Sequence, residues 1–198
     1  MSSSAESHVA YQIGNAPLNT FPYPHFFVQD VFPQDFYDAI QANLPDPQAM
    51  LPIEAVRPVR GYKERFVMEF GSASFGALPP DKKAFWAEFM GWMRGARFGQ
   101  LVTGKFEAFV MQRFGAKSEF EFSHETLLVE DITKYSLGPH TDAPRKVVTL
   151  LFYLPKDESQ KHLGTSIYIP KDPGLPLPRR PAPPARGLRA RVDDAVPA

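Results

Sequence analysis

The stretch YSLGPHTDAPRKVVTLLFYLP, Tyr135–Pro155, sets a histidine and an aspartate directly before an apolar run. The run from Val147 to Tyr153 is rich in β-branched and aromatic residues, which predicts a buried β-strand. Side chains two residues apart in an extended chain point to the same side, so His140 and Asp142 are expected to face one space at the head of that strand.

Imidazole and carboxylate are the ligand types that suit Fe(II) and Mn(II). A His-x-Asp pair supplies two ligands of a site with two histidines and one carboxylate, which leaves adjacent positions open for a cosubstrate and dioxygen. Because the chain has no cysteine, thiolate metal sites, disulfides and cysteine nucleophiles are excluded. By itself the pair is not specific, since a histidine and an aspartate at this spacing occur often by chance.

The composition is that of a folded protein, with 43% hydrophobic residues and 198 residues in total. Lys and Arg number 22, as do Asp and Glu, so the charge balance favours neither nucleic acid nor a membrane surface as partner. The N-terminal residues around His8 show no secretory leader and are expected to be mobile. These features predict a cytoplasmic protein, and its substrate, a small molecule or a peptide, is not indicated.

The predicted helices precede most of the predicted strands, which indicates an α+β domain with helices packed on a largely antiparallel sheet. Phe36, Ile40 and Leu44 share a face of the first helix, as do Phe85, Phe89, Trp92 and Met93 of the second. The predicted helices are 33–45, 79–95 and 99–115, the predicted strands are Phe26–Val28, 62–70, the later part of 118–135, 146–155 and 165–170, and the predicted loop is Asp46–Pro58.

The composition changes after Gly174. Residues Leu175–Ala198 contain six Pro, five Arg and five Ala and no aromatic residue. This predicts a domain over residues 1–174 followed by a disordered tail over residues 175–198. Two interpretations of the change stay open, a natural Pro/Arg-rich tail or the end of the true reading frame.

The segment from Tyr135 through His140, Asp142 and Arg145 to VVTLLFYLP resembles the Fe(II)- and 2-oxoglutarate-dependent dioxygenases, in their prolyl-hydroxylase-like branch. The resemblance extends over roughly residues 23–173, with its specific part in Tyr135–Pro155. It implies N-terminal helices packed on a partial double-stranded β-helix (jelly-roll or cupin-like) that is incomplete toward the C-terminus.

The resemblance also implies roles for single residues. His140 and Asp142 would bind Fe(II), and Tyr135 would contact 2-oxoglutarate. Arg145 is predicted to close the turn by pairing with a nearby carboxylate. Thr149 and Tyr153 are predicted to be packing residues.

The chain departs from the family pattern after this segment. A distal histidine and a later Arg or Lys for the far carboxylate of 2-oxoglutarate are expected on further strands. The last histidine, His162, lies in the polar stretch KDESQKHLG, which predicts a hairpin loop, and His124 could approach the site from a neighbouring strand. An impaired dioxygenase is therefore predicted, and a non-catalytic truncated β-helix protein or a cupin-like metal-binding module stays open.

Overall fold

A computed structural model of the chain describes residues 2–57, 64–115, 122–132, 140, 142–143, 145–160 and 162–169. Helices pack around an aromatic core, and a small antiparallel sheet lies at its side, which confirms the coarse α+β prediction. The predicted tail over residues 175–198 lies outside the described residues. The helices are α1 (Ser2–Asn15), α2 (Gln34–Ala42), α3 (Ile53–Val56), α4 (Ala73–Gly76), α5 (Pro80–Met93), α6 (Ala96–Lys105) and α7 (Glu107–Phe114).

The N-terminal segment forms α1, so the prediction that it is mobile is wrong. Ala5, Val9 and Ile13 are spaced four residues apart, which places them on one face of a helix. All three are buried in the main core cluster, and α1 contacts both α5 and α6. The helix therefore belongs to the core, and Lys105 of α6 also donates to the Gly14 carbonyl of α1 at 3.3 Å.

The predicted helices at 33–45 and 79–95 are confirmed by α2 and α5. Phe36 and Ile40 of α2 are buried as expected. On α5 the buried residues are Trp86, Phe89 and Met90, so of the predicted face only Phe89 is fully buried. The sequence of α5 is apolar over most of its circumference, and packing rather than periodicity selects which side faces inward.

The third predicted helix is divided into α6 and α7. The division falls at Phe106, whose backbone ends α6 with φ −104° and ψ 13°, while Gly104 stays inside the helix. Phe106 is buried and its ring lies 5.8 Å from that of Phe26. The division therefore lies at this buried aromatic residue and not at the glycine.

The sheet has three antiparallel strands in the order β1 (Leu51–Pro52), β2 (Arg65–Glu69) and β3 (Leu127–Asp131). β2 and β3 confirm the strands predicted in these regions. Their register pairs Val67 with Val129, and a bidentate pair joins Arg65 to Asp131 at 2.8 Å. Met68 faces a second small core with Met50 and Leu78.

Two predictions for segments that precede β2 in the chain are wrong. Residues Phe26–Val28 form no strand, and an isolated bridge joins Asn19 to His25 instead. The segment predicted as a loop, Asp46–Pro58, contains a 3-10 turn at Pro47–Ala49, then β1 and α3. Prolines are tolerated there because β1 lies at a sheet edge, Pro47 occupies the first position of the 3-10 turn and Pro52 directly precedes α3.

The apolar run after Asp142 is half-buried rather than buried on both sides. Val148, Leu150, Phe152 and Leu154 pack against the helical core, whereas Thr149, Leu151 and Tyr153 are exposed. This alternation is that of a strand, yet no strand ladder is assigned over 145–160. The last predicted strand, 165–170, is exposed and forms no strand over its described residues 165–169.

Glu130 of β3 gives a pH-dependent prediction for the sheet. Burial raises its pKa above the usual value, and the nearby Asp46 carboxylate raises it further. A carboxyl group with a raised folded-state pKa destabilises the fold increasingly as pH rises through that pKa, and fully above it. We therefore expect Glu130→Gln to raise the free energy of unfolding at pH 7, by less than about 1 kcal/mol.

The gain from Glu130→Gln should disappear below the ordinary carboxyl pKa, where both states of the wild-type chain are protonated. Urea unfolding at pH 7 and at pH 3.5 measures the difference. Glu69→Gln, at an exposed position of the same sheet, is the control. A gain that is as large at pH 3.5 as at pH 7 would show that charge is not the cause.

Candidate functional site

The predicted site centres on the turn that leads from Asp142 into the apolar run. The Lys146 amide donates to the Ala143 carbonyl at 2.9 Å, which closes the turn. The Lys146 ammonium group lies 3.1 Å from Asp142 Oδ1, and the Thr149 hydroxyl donates to Asp142 Oδ2 at 2.6 Å. Both oxygens of the carboxylate therefore accept a hydrogen bond from the segment that follows them.

The charge state of Asp142 follows from these contacts. Burial alone would raise its pKa, but the hydrogen bonds from Thr149 and Lys146 and the electrostatic effects of Lys146 and His140 outweigh it, so the pKa is lowered. The carboxylate is ionised near neutral pH. His140 acts on it electrostatically, so the structure brings the two predicted ligands close to each other, both on exposed chain.

Three predictions for residues in and after this turn are wrong. Arg145 is exposed, and Lys146 rather than Arg145 makes the ion pair with the carboxylate. Thr149 is a hydrogen-bond donor to Asp142 and not a packing residue. Tyr153 is also exposed, and its hydroxyl contacts that of Thr165. Nothing in the local sequence distinguishes Thr149 from a packing threonine, because its role depends on the chain turning back at Ala143.

The donor set fits Fe(II) only in part. His140 and Asp142 are donors of the right type, but no three His, Asp or Glu side chains come together at a metal-binding distance among the residues that the structure describes. A metal would also compete with Lys146 and Thr149 for the carboxylate oxygens. Tyr135, predicted to contact 2-oxoglutarate, lies outside the described residues.

Neither remaining candidate histidine completes the set. His162 follows a 3-10 turn at Glu158–Gln160, is exposed, and its Nδ1 lies 2.9 Å from the Ser159 carbonyl oxygen. His162 therefore follows a polar turn, but no paired strands flank it over the described residues 145–160 and 162–169, so the predicted hairpin is not seen. His124 is exposed beside α6, where its ring would lie 3.6 Å from a Cβ placed on Gly99.

His124 borders a polar cleft of about 270 Å³ that the sequence did not predict. Glu69 and Arg94 face it from β2 and the end of α5, and Glu125 is held there by an ion pair with Arg57 at 2.5 Å. His140 and Asp142 are not among its lining residues. Both predicted ligands are exposed, and this cleft is a separate feature.

No protein-family model, no curated protein and no solved structure matches this chain. Over the part of the chain that the structure describes, no helix is long and apolar enough to cross a membrane.

Proposed function

We propose that this chain is a diverged domain of the Fe(II)- and 2-oxoglutarate-dependent dioxygenase type, with a partial double-stranded β-helix and a weak metal site at His140 and Asp142. Active members of that family use 2-oxoglutarate and dioxygen to hydroxylate a substrate, with release of succinate and CO2. In this chain, His140 and Asp142 are the proposed metal ligands of such a site. Tyr135 is the proposed contact for 2-oxoglutarate.

The observation that carries the proposal is the environment of Asp142. Its carboxylate is kept ionised by Thr149, Lys146 and the nearby His140, in the turn before an apolar segment that packs on the helices. An ionised carboxylate beside an imidazole is a pair of hard to borderline donors that suits Fe(II) or Mn(II).

Turnover by the 198-residue chain is not expected. No third ligand joins the pair among the described residues, and each bond between a side chain and the ion contributes to holding it. An unpaired cosubstrate carboxylate would add a cost of about 2–5 kcal/mol in a desolvated site. A non-catalytic metal-binding module is therefore the second candidate, and the absence of a three-ligand group from the described residues favours it.

Metal binding tests the site directly. Titration calorimetry with Mn(II), and with Fe(II) under anaerobic conditions, should show weak binding with a Kd of roughly micromolar or higher. His140→Ala should abolish this binding, because one of only two protein donors is lost. His162→Ala, at an exposed histidine in the same segment of the chain, is the matched control and should leave binding unchanged.

Equal binding by the wild type and by His140→Ala would remove the metal site. Loss of binding in His162→Ala would instead identify a third ligand. Succinate release from 2-oxoglutarate, measured on the same protein, distinguishes the two candidate functions. Succinate that is formed by the wild type and lost in Asp142→Ala would show that the chain is an active oxygenase.

A further inference from the structure

The carboxylate of Asp142 has two partners that differ in charge and in how firmly they are held. The Lys146 ammonium group lies 3.1 Å from Oδ1, and the Thr149 hydroxyl donates to Oδ2 at 2.6 Å. Each oxygen is therefore bound by a different side chain, and either contact can break without the other. A metal ion at this carboxylate would meet a positive charge on one oxygen and a neutral hydroxyl on the other.

The Lys146 ammonium group can leave Asp142 while the turn stays in place. The backbone of Lys146 is fixed on both sides, because its N–H donates to the Ala143 carbonyl at 2.9 Å and its carbonyl accepts from Arg113 of α7 at 3.0 Å. The Lys146 side chain is a long flexible stem that is 34% exposed, and the Asp142 side chain is 41% exposed. Ion pairs at such exposed positions are weak, so a stronger cation can displace the ammonium group.

The Thr149 hydroxyl is held in place by its neighbours in the chain. Val148 and Leu150, on either side of Thr149, pack against the helical core and so anchor the backbone between them. A threonine side chain also has few rotamers, because it branches at Cβ. The bond from Thr149 therefore fixes the orientation of the Asp142 carboxylate, and it leaves lone pairs on both oxygens for a further partner.

We propose that Lys146 occupies the metal-binding oxygen of Asp142 in the metal-free chain and leaves it when Fe(II) or Mn(II) binds, while Thr149 stays bonded to the other oxygen. Lys146 is then a competitor that lowers the metal affinity, and Thr149 is a positioning residue that raises it. Both roles rest on the proposed function, since Lys146 and the metal share one carboxylate. Carboxylates that bind metals are in turn hydrogen-bonded by neighbouring groups, which orients them.

The two partners should change the metal affinity in opposite directions. The Lys146 ammonium group repels a divalent cation near Asp142, and it must also give up its ion pair before the oxygen is open to the metal. The Thr149 hydroxyl is neutral, so it adds no such repulsion, and it reduces the freedom that the carboxylate loses when it binds an ion. Loss of the lysine charge should therefore strengthen metal binding, and loss of the threonine hydroxyl should weaken it.

Titration calorimetry with Mn(II) on the full chain tests both roles. We expect Lys146→Met, which keeps an unbranched stem and removes the charge, to lower the Kd by roughly threefold to tenfold. Thr149→Val should raise the Kd by about tenfold, and Thr149→Ser, which keeps the hydroxyl, should restore most of the affinity. Lys156→Met is the matched control and should leave the Kd unchanged, because Lys156 is exposed and follows the apolar run.

The opposite signs separate these roles from damage to the fold, since a misfolded variant would bind metal more weakly in each case. A Kd for Lys146→Met that is not below that of the wild type, or an equal decrease in Lys156→Met, would overturn the role of Lys146. A Thr149→Val chain that binds as tightly as the wild type would overturn that of Thr149. In each of these cases the metal site itself stands if His140→Ala still abolishes binding. If no chain binds Mn(II), Lys146→Met included, the metal site and both roles fail together.

Discussion

Replacing Val9 with aspartate should unfold the protein or leave it close to unfolding. Val9 is completely buried in α1, where it packs into the main core cluster. The substitution loses about 1.5–3 kcal/mol of apolar burial and leaves a carboxyl group in the core without a partner, for a total above about 4 kcal/mol. That is a large share of the ~5–15 kcal/mol that stabilises a typical domain. Urea unfolding followed by circular dichroism measures the loss.

Tyr11→Asp provides the control on the same helix. Tyr11 is 69% exposed, so the same aspartate there meets water and should change stability by less than about 0.5 kcal/mol. A Val9→Asp chain as stable as the Tyr11→Asp chain would mean that α1 does not pack as described. The comparison therefore tests the element of the fold that the sequence predicted least well.

Replacing Trp86 with alanine should cost about 3–5 kcal/mol. Trp86 is 2% exposed and its ring lies among three aromatic rings, 5.5 Å from Phe85, 5.6 Å from Phe89 and 5.7 Å from Phe70. Its indole N–H donates to the Asn43 carbonyl at 2.7 Å, which fastens α5 to the end of α2. Alanine removes both the packing and this hydrogen bond. The midpoint and slope of urea unfolding report the change.

Trp86→Phe separates the two contributions. Phenylalanine keeps a ring in the cluster and loses the hydrogen bond to Asn43, so we expect a cost of about 1–2 kcal/mol. A cost for Trp86→Ala below about 1 kcal/mol would be incompatible with the described core. Equal costs for both variants would assign the stabilisation to the hydrogen bond instead of the packing.

The proposed ligand pair shows which site residues a local sequence pattern can predict and which it cannot. His140 and Asp142 could be singled out from their spacing before an apolar run, and the structure does bring them close to each other. Thr149 could not be singled out, because its hydroxyl reaches Asp142 only after the turn at Ala143 has formed. Contacts across such a turn depend on backbone geometry that side-chain identity alone does not specify.

The sequence by itself determined the elements with strong local signals. The spacing of Phe36 and Ile40 predicted α2, the prolines before Asp81 predicted the start of α5, and the alternation in RFVME predicted β2. Each of these signals lies within a short stretch of neighbouring residues. They suffice to predict that a helix or a strand forms, and in α2 the spacing of Phe36 and Ile40 also gives the buried side.

The tertiary structure alone decided three further points. The weakly apolar α1 packs into the core. On α5, Trp86 and Met90 face inward. The segment Val147–Tyr153 has one side covered by the helices and the other side exposed. In each case several local arrangements bury similar apolar area, and only contacts between distant segments choose among them. The apolar run itself could only predict a strand, whereas the helices beneath it determine which side of that strand meets water.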